Sequence, residues 1–338
     1  MSITVSSNYY GASTGTTDKY GRASGSAGFI PEIWSGKLQV KFYKSTVLGE
    51  ITNNDWEGEI KGQGDKVQIR TIPTITIRSY EKGMNLTNEV PLSTPVELNI
   101  DKGKYFSVVV DDVDEVQADV KLMDMFTNDA AQQMKIAIDG DVLNNVAADA
   151  ASANKGATAG AISANINLGA SGAPVAVTKD GASSTREILS LLLDMGQVLD
   201  EQNVPEDGRW VVIPAWMATM LKLSEIRQVQ ISGDDASPLR NGKIGQIDRF
   251  TLYVSNNLSS FTDLGSDAAA GGTGTAADTT AWNILAGTRD AISFASQITD
   301  VETLRSTTTF GNIMRGLNVY GYKVVKPEAL VVARVRKG

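Results

Sequence analysis

The sequence predicts an α+β fold on three observations. Apolar and polar residues alternate with period two along two runs between 58 and 110. A single stripe of apolar residues three and four apart follows from 111 to 150, with no proline to break it. The chain beyond 280 is mostly strand again.

Residues 1–28 are rich in Ser, Gly, Thr and Tyr with almost no aliphatic pattern, and read as a flexible arm. Phe29, Ile30, Ile33, Trp34, Leu38 and Phe42 fall at helical spacing, so ordered structure is expected to begin there. From Lys66 the period becomes two: Val67, Ile69 and Thr71 alternate with Gln68, Arg70 and Ile72, and Ile75 and Ile77 continue the run beyond Pro73. Val96, Leu98 and Ile100 start a second run that extends to Phe106–Val110. Gly, Asn and Pro punctuate the chain between them, so 58–110 reads as a long β-hairpin with a loose tip. Val113, Val116, Val120, Met123, Ala130, Met134, Ile138 and Val142 then form the helical stripe. A helix of about forty residues would reach roughly 55 Å. Asp111, Asp112, Asp114 and Glu115 stand where a helix N-terminus favours negative charge.

Residues 151–183 and 263–280 are rich in Ala, Gly, Ser and Thr and read as surface loops or insertions. Between them the pattern predicts a helix over 185–202 with Ser184 or Thr185 near its cap, a buried strand at RWVVIP, a helix at AWMATMLKL and a strand at FTLYVSNNL. That alternation predicts a compact α/β unit. After 280, three or four extended runs end in a small basic cluster of Arg334, Arg336 and Lys337.

Cysteine and histidine are both absent, which excludes disulfides, thiolate nucleophiles, Fe–S clusters, most zinc sites and every Ser-His-Asp or Cys-His mechanism. Acidic residues outnumber basic ones by 39 to 31, so no global positive field holds nucleic acid. No stretch approaches 18 apolar residues and the N-terminus lacks the order of a signal peptide, so a soluble intracellular protein is expected. Gly62, Gly64 and Lys66 only superficially resemble a phosphate loop, because a β-run follows them where a helix should. Gly272–Ala277 matches a dinucleotide fingerprint inside a low-complexity stretch, and Gly11–Gly15 matches a nucleophile elbow without a histidine to activate Ser13. Asp139 and Asp141 could offer oxygens to a hard cation, but helix residues two apart diverge. No catalytic residue, metal or cofactor is expected.

An isolated two-stranded hairpin is marginal in water, and this chain offers no obvious partner sheet for one so long. Lys66, Arg70, Arg78 and Lys82 on its arms, and the acidic run Asp111, Asp112, Asp114 and Glu115, are therefore expected to make inter-subunit contacts.

RWVVIPAWMATMLKL (209–223), NGKIGQIDRFTLYVSNNL (241–258), AISFASQI (291–298) and VYGYKVVKPEALVVARV (319–335) follow an arm, a hairpin and a long helix. In that order they resemble the major capsid proteins of tailed double-stranded DNA bacteriophages, which have the Hong Kong 97-like fold. The resemblance spans most of 29–338. It implies an N-terminal arm over 1–54 and an extended hairpin, the E-loop, over 55–110. It also implies a peripheral domain of 111–183 and 286–338, with the spine helix, an insertion and closing strands, and an axial domain over 184–285. By resemblance the protein is not an enzyme. Its copies would assemble in the host cytoplasm into pentamers and hexamers of an icosahedral head around double-stranded DNA, held non-specifically, with no membrane. Portal and scaffolding proteins, with or without a cement protein, would be partners. Net negative charge suits a wall that should not grip the genome, and many neighbours per copy multiply weak contacts. An encapsulin-like bacterial compartment would share the fold and hold cargo enzyme instead of DNA. An enzyme using carboxylates and Mg²⁺ would need a convergent acidic pocket. A modular adhesin or tail component would suit the Gly/Ala/Thr-rich stretches but not the long helix.

Overall fold

The computed structural model describes residues 43–56, 66–73, 75–112, 122–181, 185–224, 246–263 and 279–338. The arm, the helical spacing at 29–42, Gly62 and Gly64, Asp114, Glu115 and most of the 263–280 stretch lie outside them.

A short helix α1 (Leu48–Ile51) precedes a hairpin of β1 (Lys66–Ile69) and β2 (Val96–Asn99), then β3 (Lys102–Asp111) and the long helix α2 (Leu122–Asn145). Strands β4 (Val175–Thr178) and β5 (Arg186–Glu187) lead into α3 (Ile188–Glu201), β6 (Arg209–Ile213) and α4 (Ala215–Leu223). Next come β7 (Gln246–Ile247), β8 (Phe250–Val254) and β9 (Phe261–Asp263). The chain closes with β10 (Thr279–Thr288), β11 (Ile292–Arg305), β12 (Gly311–Val324) and β13 (Leu330–Lys337). The strands form an eight-stranded mixed sheet with the path β5-β4-β13-β10-β6-β8-β7 and β9 beside β10. A three-stranded antiparallel sheet β11-β12-β3 and the two-stranded hairpin complete the set.

The large sheet is buried on both faces. Trp210, Val212, Leu285, Leu330 and Val332 pack with Ile138, Val142 and Leu143 of α2 and with Val146 just beyond it. Their neighbours Val211, Ile213, Ile284, Ala286, Val331 and Ala333 pack instead with Leu191, Met195 and Val198 of α3 and Met217 and Leu221 of α4. Double burial explains why RWVVI and LVVARV are near-continuous apolar runs with no polar face. The one charge in β6, Arg209, is buried with its guanidinium satisfied by Val204 O at 2.6 Å, Pro205 O at 2.9 Å and an ion pair to Asp200 at 2.8 Å.

Three expectations need correction. Residues 151–183 are not a surface insertion: Val175–Thr178 runs parallel to β13, and Asn154, Ala159, Ile166 and Leu168 are buried. Their small residues let the chain lie close against β13. The helix expected from 185 begins at Ile188 with no side-chain cap, because Arg186 and Glu187 pair with Val177 and Thr178 as β5. The hairpin ladder ends at Asn99, and Lys102–Asp111 belongs to the other sheet, paired with β12 from Gly311↔Asp111 to Tyr320↔Lys102. Over its described residues α2 has 24 residues, roughly 36 Å of helix.

Asp139 ties the entering chain to this frame. Its carboxylate, 1% exposed, accepts hydrogen bonds from the Val47 and Leu48 N–H groups at 3.0 and 2.9 Å and from Asn257 Nδ2 at 2.6 Å. Asp141 accepts from the Tyr320 hydroxyl at 3.0 Å, so donors of the chain itself engage both carboxylates. Glu201, the last residue of α3, accepts from the Ile162 and Ser163 N–H groups at 2.9 and 3.0 Å. Those backbone donors hold its carboxyl down at about 2, against its ordinary 4.5.

Removing the Asp139 acceptor strands three donors, each costing about 1–3 kcal/mol when buried and unsatisfied. Asp139→Ala is expected to lower the unfolding free energy by at least about 3 kcal/mol in urea titrations. A loss within error of wild type would show that the carboxylate does not anchor the segment. Because the Glu201 pKa is depressed on folding, its contribution is complete above pH 4.5 and disappears as pH falls through about 2. Thermal melts of Glu201→Gln should therefore show a lower midpoint than wild type at pH 6, with the gap narrowing toward pH 2.

Candidate assembly surface

The base of the hairpin is part of the folded body. Ile69, Leu98 and Ile100 are buried with Ala295 and pack against Trp56, Val319 and Val325. The main chain of Asn99 and Ile100 crosses so close over Gly321 that a Cβ there would overlap the Asn99 carbonyl. The chain thus does supply a partner sheet, but only for the base.

Beyond Ile69 the arms leave that support. They lie side by side with little regular ladder: Thr71 Oγ1 donates to Thr94 O at 2.7 Å, Ser93 Oγ to Thr71 O at 2.5 Å, and the Thr76 N–H reaches Glu89 at 3.4 Å. The tip is a turn in which the Met84 N–H meets Glu81 O at 3.2 Å and Gly83 takes φ +92°, as position three of a type II turn requires. If extended, residues 70–82 span roughly 40 Å. Apolar side chains along them face solvent, with Ile72 96% and Ile77 90% exposed and Val90, Leu92 and Leu86 close behind.

The three-stranded sheet has one covered and one open face. Met314 and Tyr320 turn toward α2, touching Thr127 and Asp141. On the opposite face the register sets Tyr105 beside Leu317, Ser107 beside Arg315 and Val109 beside Ile313, with Glu302 and Leu304 next in line. Tyr105 is 79% exposed, and Val109, Leu304 and Leu317 are exposed too. A groove of about 510 Å³ runs past Tyr105, Glu302, Arg315 and Leu317. Farther along the same face sit Val319 and Gly321, beneath the chain's own hairpin base.

The residues expected to make contacts divide accordingly. Lys66 pairs with Glu97 across the hairpin base at 3.8 Å, and Asp112 pairs with Arg305, so both have partners within the chain. Asp111 closes β3 opposite Gly311. Arg70, Arg78 and Lys82 are exposed on the arms and tip and make no ion pair among the described residues. The sequence expectations do not include Tyr105, Val109 and Leu317; the alternation of exposure along Lys102–Asp111 is the signal that marks the first two. Among the described residues no three acidic groups gather to hold a metal, and no helix is long and apolar enough to cross a membrane.

The phage capsid protein family matches residues 94–333, most of the chain and all three of the sheets but β1 and the end of β13. The chain belongs to that family. The solved structure from Mycobacterium phage Che8 is similar at 28% identity and a TM-score of 0.68, covering 90% of this chain and 96% of that one. The capsid of cyanophage P-SCSP1u is similar at 16% identity and a TM-score of 0.65, covering 93% and 96%. The capsid of Ralstonia phage GP4 matches at 13% identity and a TM-score of 0.61, covering 92% and 96%. A search of curated protein sequences finds no match. The chain is thus a major capsid protein of tailed phages with the Hong Kong 97-like fold; it associates with further copies of itself to form the phage head and resides in the virion capsid.

The open hairpin makes one outcome measurable on this capsid protein. Trypsin is expected to cut the unassembled subunit after Arg70, Arg78 or Lys82 before any site in the large sheet, as read by mass spectrometry. First cuts in β6 or β13 would show that the arms are not the exposed element.

Proposed function

We propose that the projecting hairpin is the E-loop by which each copy lies across a neighbour, and that its apolar arms cover the open face of the neighbour's three-stranded sheet. The observation that carries this reading is the row of solvent-facing Ile72, Ile77, Val90 and Leu92 on arms with almost no ladder of their own. Burying such side chains contributes about 1.5–3 kcal/mol each before the cost of ordering the arms. That is enough for a specific contact and small enough to stay reversible until valency accumulates. The neighbour's face offers apolar Tyr105, Val109 and Leu317 next to a hairpin base, so a second hairpin would continue a packing already begun.

In this reading Arg70, Arg78 and Lys82 meet carboxylates of the adjacent copy, with the acidic stretch Asp111, Asp112, Asp114 and Glu115 proposed to make inter-subunit contacts as well. Residues 1–54 serve as the arm, 55–110 as the E-loop, 111–183 and 286–338 as the peripheral domain and 184–285 as the axial domain. Copies gather as pentamers and hexamers of an icosahedral shell built in the host cytoplasm. Portal and scaffolding proteins, with or without a cement protein, join the shell without any catalytic step by this chain. The net charge of −8 favours loose, non-specific enclosure of double-stranded DNA.

Combined Arg70→Glu and Arg78→Glu should leave a folded subunit while cutting particle yield by at least about tenfold, the effect of losing about 1.4 kcal/mol at a contact. Electron microscopy and light scattering read the yield, and Ile77→Asp should behave alike. Wild-type yield and wild-type particle melting in both variants would sink the proposal.

A further inference from the structure

We propose that Ile162 of one copy seats in the apolar groove beside Trp216, Met220 and Leu223 of the next, joining copies head to tail around a ring. The inference rests on the shell-building function proposed above and names a second contact, remote from the hairpin.

The knob is unusually well held for an exposed apolar residue. Gly160 and Ala164 take positive φ values of 104° and 47°, and the turn between them is pinned from beneath by Glu201, which accepts from the Ile162 and Ser163 N–H groups. The Ile162 side chain itself is 81% exposed. A β-branched side chain on a backbone already fixed loses little freedom on docking.

The groove is formed by α4, the loop after β4 and the end of β13, and has a volume of about 810 Å³. Leu223 is 55% exposed there, and the Trp216 ring is steadied by Trp282 at 5.2 Å between centroids. On its rim Lys179 pairs with Asp180, whereas Lys337 is exposed and makes no ion pair among the described residues. The knob arrives with the Glu201 carboxylate directly beneath it, so the two surfaces match in charge as well as in apolar character.

Placement decides between self-filling and pairing. Glu201 ends α3, whereas Thr185, which lines the groove, precedes its start, so the 14 residues of α3 separate knob and groove by about 21 Å. A copy cannot fill its own groove. Two different patches at the two ends of α3 make a heterologous contact when copies pair, which closes into a ring when the rotation permits.

The chain has no cysteine, so an engineered pair reports without background. Assembled particles carrying both Ile162→Cys and Met220→Cys should, on oxidation, give a non-reducing gel ladder that rises to closed rings, and either single variant should not. Particles that form normally without a ladder overturn the inference while the shell-building function stands. A ladder that stops at two copies also overturns it, because that marks a two-fold contact. A wild-type chain that forms no particles overturns both. If the double variant fails to assemble, Ile162→Asp and Ile162→Leu decide the matter in the otherwise unaltered chain. The first should lose at least about tenfold in particle yield with its far-UV circular dichroism intact, and the second should not. Equal yields overturn the inference.

Discussion

Burial of the eight-stranded sheet on both faces is the constraint on which the rest of the subunit depends. Once Trp210 and Val212 must be covered on one side and Val211 and Ile213 on the other, helices are needed on both sides. The chain meets this with α3 and α4 on one face and the end of α2 on the other. The consequence reaches beyond the sheet, because a helix that spends its last turns covering Leu285 and Val332 has its earlier turns free. Those turns carry the three-stranded sheet through Thr127 against Met314, and Asp141 in the last turns holds the same sheet through Tyr320. The long helix is thus a beam clamped at one end by hydrophobic packing and loaded along its length by a second sheet.

Polar groups complete the clamp where apolar ones cannot. Asp139 lies on the stretch of α2 that packs against the sheet, and it fixes the chain arriving from the N-terminal side by two backbone N–H groups. A buried carboxylate is costly unless its acceptor capacity is used, and here backbone and Asn257 use it. Arg209 follows the same logic on the opposite charge. Both are structural uses of residue types that a search for chemistry would select first.

Much of this was legible in the sequence where one physical demand acted alone. RWVVIP, AWMATMLKL and FTLYV declared themselves because continuous apolar runs and helical spacing have few alternative readings, and the structure places β6, α4 and β8 there. The reading failed where small residues met tertiary demand. Residues 151–183 look like filler because Ala, Gly and Ser carry no period, yet a strand beside β13 needs only residues small enough to approach it, and PVAV was the one signal available. The hairpin was legible as extended chain, but not where its support ends. That boundary is set by Gly321 and Ala295 more than two hundred residues away, and no local pattern reports it. Of the expected contact residues, Lys66 and Asp112 found partners through pairing partners far along the chain, Glu97 and Arg305.

A container built from identical units has to be strong in sum and correctable in its parts. The distribution of apolar surface follows that demand. Inside the subunit, large side chains such as Trp210, Leu143 and Met195 are wholly buried, so the unit does not depend on its neighbours to hold its core. Outside, the apolar groups are laid out singly along arms and on one face of a narrow sheet, where no one contact removes enough area to be irreversible. In the proposed docking, a hairpin with few ladder bonds adds a second safeguard, since its arms would have to be ordered at each contact and part of the hydrophobic gain would be spent there. A stiffer, fully paired hairpin would bind each neighbour more tightly, but it would also retain misplaced ones. In the docking proposed for these arms, the sparse ladder between Thr71 and Glu89 is as much a part of the device as the isoleucines it carries.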